Sequence, residues 1–453
     1  MSNDTAQINA ETGYKQELKR ALSVRDMAIF GMIYMIPTAP FAIYGFLAQT
    51  SLGMVSLVYV FGMVAMLFTV LSYKDMSEEF PIAGSVYSYA TRGVHPTVGF
   101  FSGWALLLDY ILIPSFCYVT AGVAMHAIIP AVPSWVWIIL CILINTVINY
   151  CGIEFTALAN RIMLGIEVLV LVIFLVFAII ALAHGAGNGF TFKPIFDKSN
   201  FSMSFVMAAV SLAVMSFLGF DGISTLAEEA KEGPKSVGRA SLYALILISV
   251  VFIVQTYVTA LVWPDYNSFQ NTDSAFYEIA YKVGGGFLKV VTSLTSVLAF
   301  GIACGITTQS SSSRVLFAMA RDKTLPSPLA KVHKKFKTPY VAILFVCVVS
   351  IVLSVGFANS MDTIANFVNF GALTAFLVLN FSVINYFIIR KKSKQYVKYL
   401  VLPIIGFIII GYVWLSLDHL ALIVGACWLV LGAIYFFVLK LMHRNASIDE
   451  SVL

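Results

Sequence analysis

Charge is scarce in this sequence: 11% of its 453 residues are Asp, Glu, Lys or Arg, against roughly a quarter in an ordinary soluble domain. That scarcity excludes a water-facing surface over most of the chain. No G-x-x-x-x-G-K-[ST] run is present, which excludes the glycine-rich loop that cradles nucleotide phosphates and makes ATP-driven work an unexpected role. The six histidines are scattered and form no H-E-x-x-H or similar cluster, so neither a metal nor any other cofactor is expected. The six cysteines (Cys117, Cys141, Cys151, Cys304, Cys347, Cys427) fall within or at the ends of apolar stretches without metal-site spacing. They read as small core hydrophobes rather than disulfides or ligands. No nucleophile–base pair points to a membrane enzyme, and no ring-forming filter motif points to a channel. Residues 1–23 are polar and mixed in charge, so a cytoplasmic tail is expected there rather than a signal peptide.

What the chain has is hydrophobic length. Apolar residues make up 60% of it and the mean hydropathy is +0.89. Stretches long enough to cross a bilayer recur throughout. About twelve spans are expected, near 25–49, 54–73, 97–129, 134–151, 160–183, 204–230, 239–263, 285–320, 339–357, 361–389, 399–416 and 420–442. On this assignment about 24 of the 28 basic residues fall on the side of the two tails, and only Lys193, Lys198, Lys282 and Lys289 lie opposite. The positive-inside rule makes the tail side cytoplasmic, in a multi-pass protein of the cell membrane. Topology thus accounts for the net charge of +5, and no nucleic-acid partner is needed; the lipid bilayer is the partner, its anionic inner leaflet adding attraction.

Two spans are interrupted. Tyr34-Met35-Ile36-Pro37-Thr38-Ala39-Pro40 splits the first with prolines, and Gly219-Phe220-Asp221-Gly222 splits the sixth with glycines and a carboxylate. Proline removes a helix donor, and glycine tolerates non-helical backbone. Broken backbone at membrane depth is tolerated only where protein or a water-filled cavity surrounds it. Breaks at matching places in two halves point to the substrate site of a secondary carrier; a plain pair of kinks is the alternative. The breaks divide the chain into two five-helix repeats, 24–183 and 204–389, of opposite orientation because five is odd. Two further helices (399–442) and a C-terminal tail (443–453) follow.

Three acids lie inside spans. Asp221 is a candidate for ligand or proton binding, because an intramembrane charge costs about 3 kcal/mol or more; it could equally cap the helix restarting at Gly222-Ile223-Ser224. Asp109, among apolar neighbours and followed by Tyr110, is a proton carrier, an amine counter-charge, or an interhelical hydrogen-bonding group. Glu167 has only Arg161 near it along its own helix, at the wrong spacing for a pair, and could instead snorkel to the interface. The hydroxylic run from Thr307 to Ser313 reads as interhelical glue or as the lining of an ion route.

Four stretches resemble the amino acid–polyamine–organocation transporter superfamily: Pro81-Ile82-Ala83-Gly84-Ser85-Val86-Tyr87-Ser88-Tyr89, Gly103-Trp104-Ala105-Leu106-Leu107-Leu108-Asp109-Tyr110, Phe217-Leu218-Gly219-Phe220-Asp221 with Glu228-Glu229 and Pro234, and Ser313-Arg314 with Met319-Ala320-Arg321-Asp322 and Pro326. The resemblance implies an all-α membrane protein of the LeuT-type 5+5 inverted-repeat fold, working by alternating access and usually coupled to protons. It carries substrate binding onto Tyr34, Ile36, Pro37, Thr38, Tyr110, Leu218, Gly219, Phe220, Asp221 and Gly222, with Met215 as a candidate gate. It also suggests proton coupling through Asp109 and Glu167, since certain relatives hold a lysine at the latter place.

One departure from the resemblance bears on substrate. Amino-acid carriers of the superfamily have a G-S-G-type run at the first break, whose free N–H groups hold an α-carboxylate. Here the run is Met35-Ile36-Pro37-Thr38, without glycine. The pattern is most similar to the putrescine-importer subgroup, and implies import of a small cationic amine held by acids and aromatic faces. An amino-acid permease is the alternative.

Overall fold

The computed structural model describes residues 17–356 and 361–443; most of both expected tails lies outside the described residues. Among those described there is no β-strand. Nine helices are long and apolar enough to cross a bilayer, and one further span is the pair Val24–Tyr34 and Ala39–Thr50, bent by 48°. The apolar helices Ser134–Tyr150 and Tyr340–Gly356, 17 residues each, complete twelve, and 17 residues is near the minimum for crossing. Apolar side chains cover the outside, as a lipid-facing bundle requires: Leu169 is 60% exposed and Val352 64%.

Several boundaries differ from the sequence expectation, each for a local reason. Span two runs on to Glu79, span five starts at Ile153 and span seven at Lys235, because charged turns continue past the apolar stretch. The stretch 264–284, expected as an outer connection, contains the start of a helix at Ala275; Gly284 and Gly285 leave helical geometry inside it, Gly285 at φ 64°. Cys151 and Cys427 are exposed, whereas Cys117, Cys141, Cys304 and Cys347 are buried. The reading of all six as core residues therefore fails for two: Cys427 sits on an outward position that an apolar span does not distinguish from an inward one, and Cys151 caps the end of span four.

Packing and hydrogen bonds hold both ends of span one. On the side away from the tails, the rings of Phe41 and Phe276 stack at 3.7 Å, and Phe174 packs on both. On the tail side, Ser23 and Asp26 form a reciprocal cap that starts the helix at Val24. Asp26 pairs with Arg161, whose Nε lies 2.9 Å from Oδ1. Leu22 and Ala230 form a short parallel bridge, with the N–H groups of Ala21 and Leu22 donating to the Glu229 carbonyl and that of Lys231 to the Leu22 carbonyl.

The motif residues around Glu228, Glu229, Arg314 and Arg321 hold the inner end of span six to span eight. Arg314 grips Glu229 through two bonds of 2.6 and 2.9 Å, with both side chains at most 3% exposed. Arg321 grips Glu228 in the same way at 3.1 and 2.9 Å. Trp104 and Trp428 each donate an indole N–H to the other's carbonyl, at 2.8 and 2.7 Å, and fasten span twelve to span three.

Candidate substrate site

Each break is built by its own backbone chemistry. At the first, Ile36 takes φ 53°, an expensive conformation for a β-branched residue. The N–H groups there are used locally: Met35 donates to Gly31, Ile36 to Ile33 and Ala39 to Ile36. Pro37 has none to give. The freed Pro37 carbonyl accepts from Gln255 Nε2 at 2.9 Å, and the Tyr34 carbonyl from the Cys304 thiol at 3.5 Å.

At the second break, Leu218 is extended and Gly219 takes φ 128°, which only glycine adopts freely. The chain then continues as 3-10 turns over Asp221–Glu229. A Cβ on Gly219 would lie 2.7 Å from the Tyr34 ring, and one on Gly222 closer still. Tyr34 of the first break thus lies directly on the turn of the second, and both glycines are required by that contact.

Asp221 ties the second break to span three. Its Oδ1 accepts the Gly219 N–H at 3.1 Å and its Oδ2 the Tyr110 hydroxyl at 2.7 Å. The expected cap on a helix restarting at Gly222 is replaced by a carboxylate folded back onto the break, since the restart is a 3-10 turn that includes Asp221 itself. Ser312 donates to the Tyr110 carbonyl and so fixes the base of this tyrosine. Asp109 is 2% exposed, within electrostatic reach of Asp221, and its Oδ1 has no hydrogen-bond partner. Glu167 does not snorkel: it is 2% exposed, and its Oε2 accepts from Thr38 Oγ1 of the first break at 3.4 Å. Among the described residues no basic side chain forms an ion pair with Asp109, Glu167 or Asp221; Arg161 is engaged by Asp26 instead.

The structure therefore gathers Tyr34, Tyr110, Gly219, Asp221 and Gly222 tightly, with Ile36, Pro37 and Thr38 beside them. Met215 is half-buried and Leu218 buried. Phe220 is enclosed by Tyr73, at 5.7 Å edge-on, and Phe376, stacked at 5.5 Å. In the hydroxylic run of span eight Thr307 and Thr308 both donate to the Cys304 carbonyl at 2.8 Å, while Gln309, bonded to Thr146 and Asn149, and Ser312 supply interhelical glue. Gln255 was not singled out from the sequence, although it is the one amide in the apolar helix Lys235–Val262. Asking which polar side chains interrupt a span, rather than which acids do, would have found it.

Comparison with known proteins fits this architecture. A family model described as amino acid permease matches residues 26–447. The chain is 31% identical over 436 residues to the low-affinity putrescine importer PlaP of Escherichia coli (strain K12), covering 95% of each. It is 27% identical over 464 residues to the branched-chain amino acid permease BcaP of Bacillus subtilis, covering 97% of each. It is also 27% identical over 460 residues to the methylthioribose transporter of the same organism, covering 94% of this chain and 95% of that one. The chain belongs to the amino acid permease family, and it is a twelve-span membrane transporter of the LeuT-type fold, with broken helices one and six.

Proposed function

We propose that this transporter imports a small cationic amine of the putrescine type, coupled to protons, with the tail side cytoplasmic and the two repeats 24–183 and 204–389 alternating access to the breaks. The observation that carries the reading is the polarity of the unmatched groups. Asp109 Oδ1, Glu167 Oε1 and Gln255 Oε1 are buried without partners; the amide oxygen is an acceptor, and each carboxyl oxygen is one whenever its group is ionised. Gln255 must place its nitrogen on the Pro37 carbonyl, which can only accept, so its oxygen is the free end. An unmatched buried acceptor is costly and is relieved by a donor. An ammonium group brings three donors and a positive charge; an amino acid brings the same group together with an α-carboxylate, which adds acceptors and negative charge to a site that already holds three acids. Asp221 and Asp109 would hold the ammonium, Tyr34 and Tyr110 would line its path, and Leu218, Gly219, Phe220 and Gly222 would shape the pocket, with Met215 as its gate. Glu167, joined to the first break through Thr38, would carry the coupled proton.

Uptake of labelled putrescine into proteoliposomes under an imposed proton gradient tests this. Saturable, gradient-dependent entry is expected. Entry of leucine with exclusion of putrescine would overturn the amine reading in favour of an amino-acid permease, the reading that the full-length likeness to the branched-chain permease supports.

A further inference from the structure

Span five carries a second polar side chain that the substrate site does not use. Asn160 is 1% exposed, and neither its Nδ2 nor its Oδ1 has a partner. An amide has two donors and two acceptor sites, so leaving all of it unmatched in the interior is among the costlier states of a neutral side chain. Native interiors meet such groups with ordered water.

Its position gives that water a direction. Asn160 and Glu167 are seven residues apart, which returns to the same helix face about 10 Å further along. Below Asn160 on this face stands Thr156, whose Oγ1 donates to Asn149 Oδ1 at 3.3 Å. The neighbouring residue, Arg161, lines a cavity of about 480 Å³ on the tail side, together with Ser23, Arg25, Asp26, Ile29 and Glu232. Above Glu167 the face turns apolar: Val170, Leu171 and Phe174 are buried, and Phe174 belongs to the aromatic stack with Phe41 and Phe276. The polar groups of this face, Thr156, Asn160 and Glu167, therefore lie between the first break and the tail side, with the half-buried Met163 and Leu164 between the last two, and beyond Glu167 the face is sealed by rings.

We infer that Asn160 is a positioning residue for proton transfer, holding the water through which the Glu167 carboxyl exchanges its proton with the tail-side cavity. This rests on the reading of Glu167 as the proton carrier. The proton leaves Glu167 Oε1 along a short file of waters, one of them held at Asn160 Oδ1; each water accepts one proton and releases another toward the cavity, so the charge moves while Asn160 itself stays unchanged. Along this route the ionisable neighbours are the Cys304 thiol, within electrostatic reach of Glu167, and, at the mouth, the Arg161–Asp26 pair with Arg25 and Glu232.

A pH jump on the purified full-length protein, followed by time-resolved infrared difference spectroscopy, tests the route without any substrate. The Glu167 carboxyl band is the one lost in Glu167→Gln. In Asn160→Leu its equilibration should slow by about ten-fold or more with the same final amplitude, and Asn160→Ser, small enough to keep a water, should recover most of the rate. Leucine replaces an unmatched amide with an apolar group, so the melting temperature should hold or rise; a large fall would mark Asn160 as a structural group and overturn the proposal. An unchanged rate in Asn160→Leu would overturn the route alone. Absence of any pH-responsive band that Glu167→Gln removes would instead overturn Glu167 as the carrier, and the route with it.

Discussion

Tyr110 on span three donates its hydroxyl to Asp221 of the second break at 2.7 Å, both side chains being fully enclosed. This bond joins an unbroken helix to a broken one at the point where the substrate charge would sit. Tyr110→Phe removes a donor to a charged acceptor, an interaction worth about 1.5–3 kcal/mol. The KM for putrescine uptake should change by roughly ten-fold or more, and Asp221→Asn should abolish uptake. Normal kinetics in either variant would remove Asp221 from the binding machinery.

The contact between Tyr34 and the glycine turn makes a second prediction. Gly222→Ala places a methyl group inside the Tyr34 ring, and overpacking of this kind costs about 1–3 kcal/mol. The variant should melt lower in detergent and transport poorly. Combining it with Tyr34→Ala should cost less than the sum of the two single changes. Strict additivity would mean that the ring and the turn do not press on each other.

Gln255→Leu leaves the Pro37 carbonyl unmatched, at a cost of about 1–3 kcal/mol, and deletes one acceptor from the site. Lower thermal stability and a raised KM for putrescine are expected together. A variant with lowered stability and an unchanged KM would show that Gln255 serves the backbone only.

Arg314→Ala would strand the Glu229 carboxylate in the interior, and breaking a buried pair in this way costs about 3–5 kcal/mol. Loss of folded protein is expected, read as monodisperse yield after solubilisation. The double change Glu229→Gln with Arg314→Met should recover much of it, since no charge is then stranded. Equal yields for Arg314→Ala and the unaltered chain would contradict the enclosed ion pair.

The span count and the two breaks could be read from the sequence, because length, proline and glycine each carry a large and local free-energy cost; that Tyr34, Tyr110, Gly219 and Asp221 belong together was implied only by the family resemblance. Partnerships across helices could not be read there. Nothing along the chain says that Glu167 meets Thr38, that Arg161 answers Asp26, or that Gln255 reaches Pro37, since each joins spans far apart in sequence. The helix at Ala275 was hidden for another reason: its glycines at 284 and 285 resemble a connection and do leave helical geometry, while the turns before them pack through Phe276 on Phe41 and Phe174. The exposure of Cys427 was equally hidden, because in a bilayer both faces of a helix are apolar, and that of Cys151 because it caps the end of span four.

The short bridge between Leu22 and Ala230 has a mechanical consequence. Leu22 leads into span one and Ala230 ends span six, so the lower halves of the two interrupted helices are yoked. A pull on either is felt by the other before any side chain moves. If the carrier opens toward the tails as proposed, the joined pair would swing as one body rather than as two, and a single staple across Leu22 and Ala230 would leave that swing intact while a staple from Asp26 to Arg161 would arrest it.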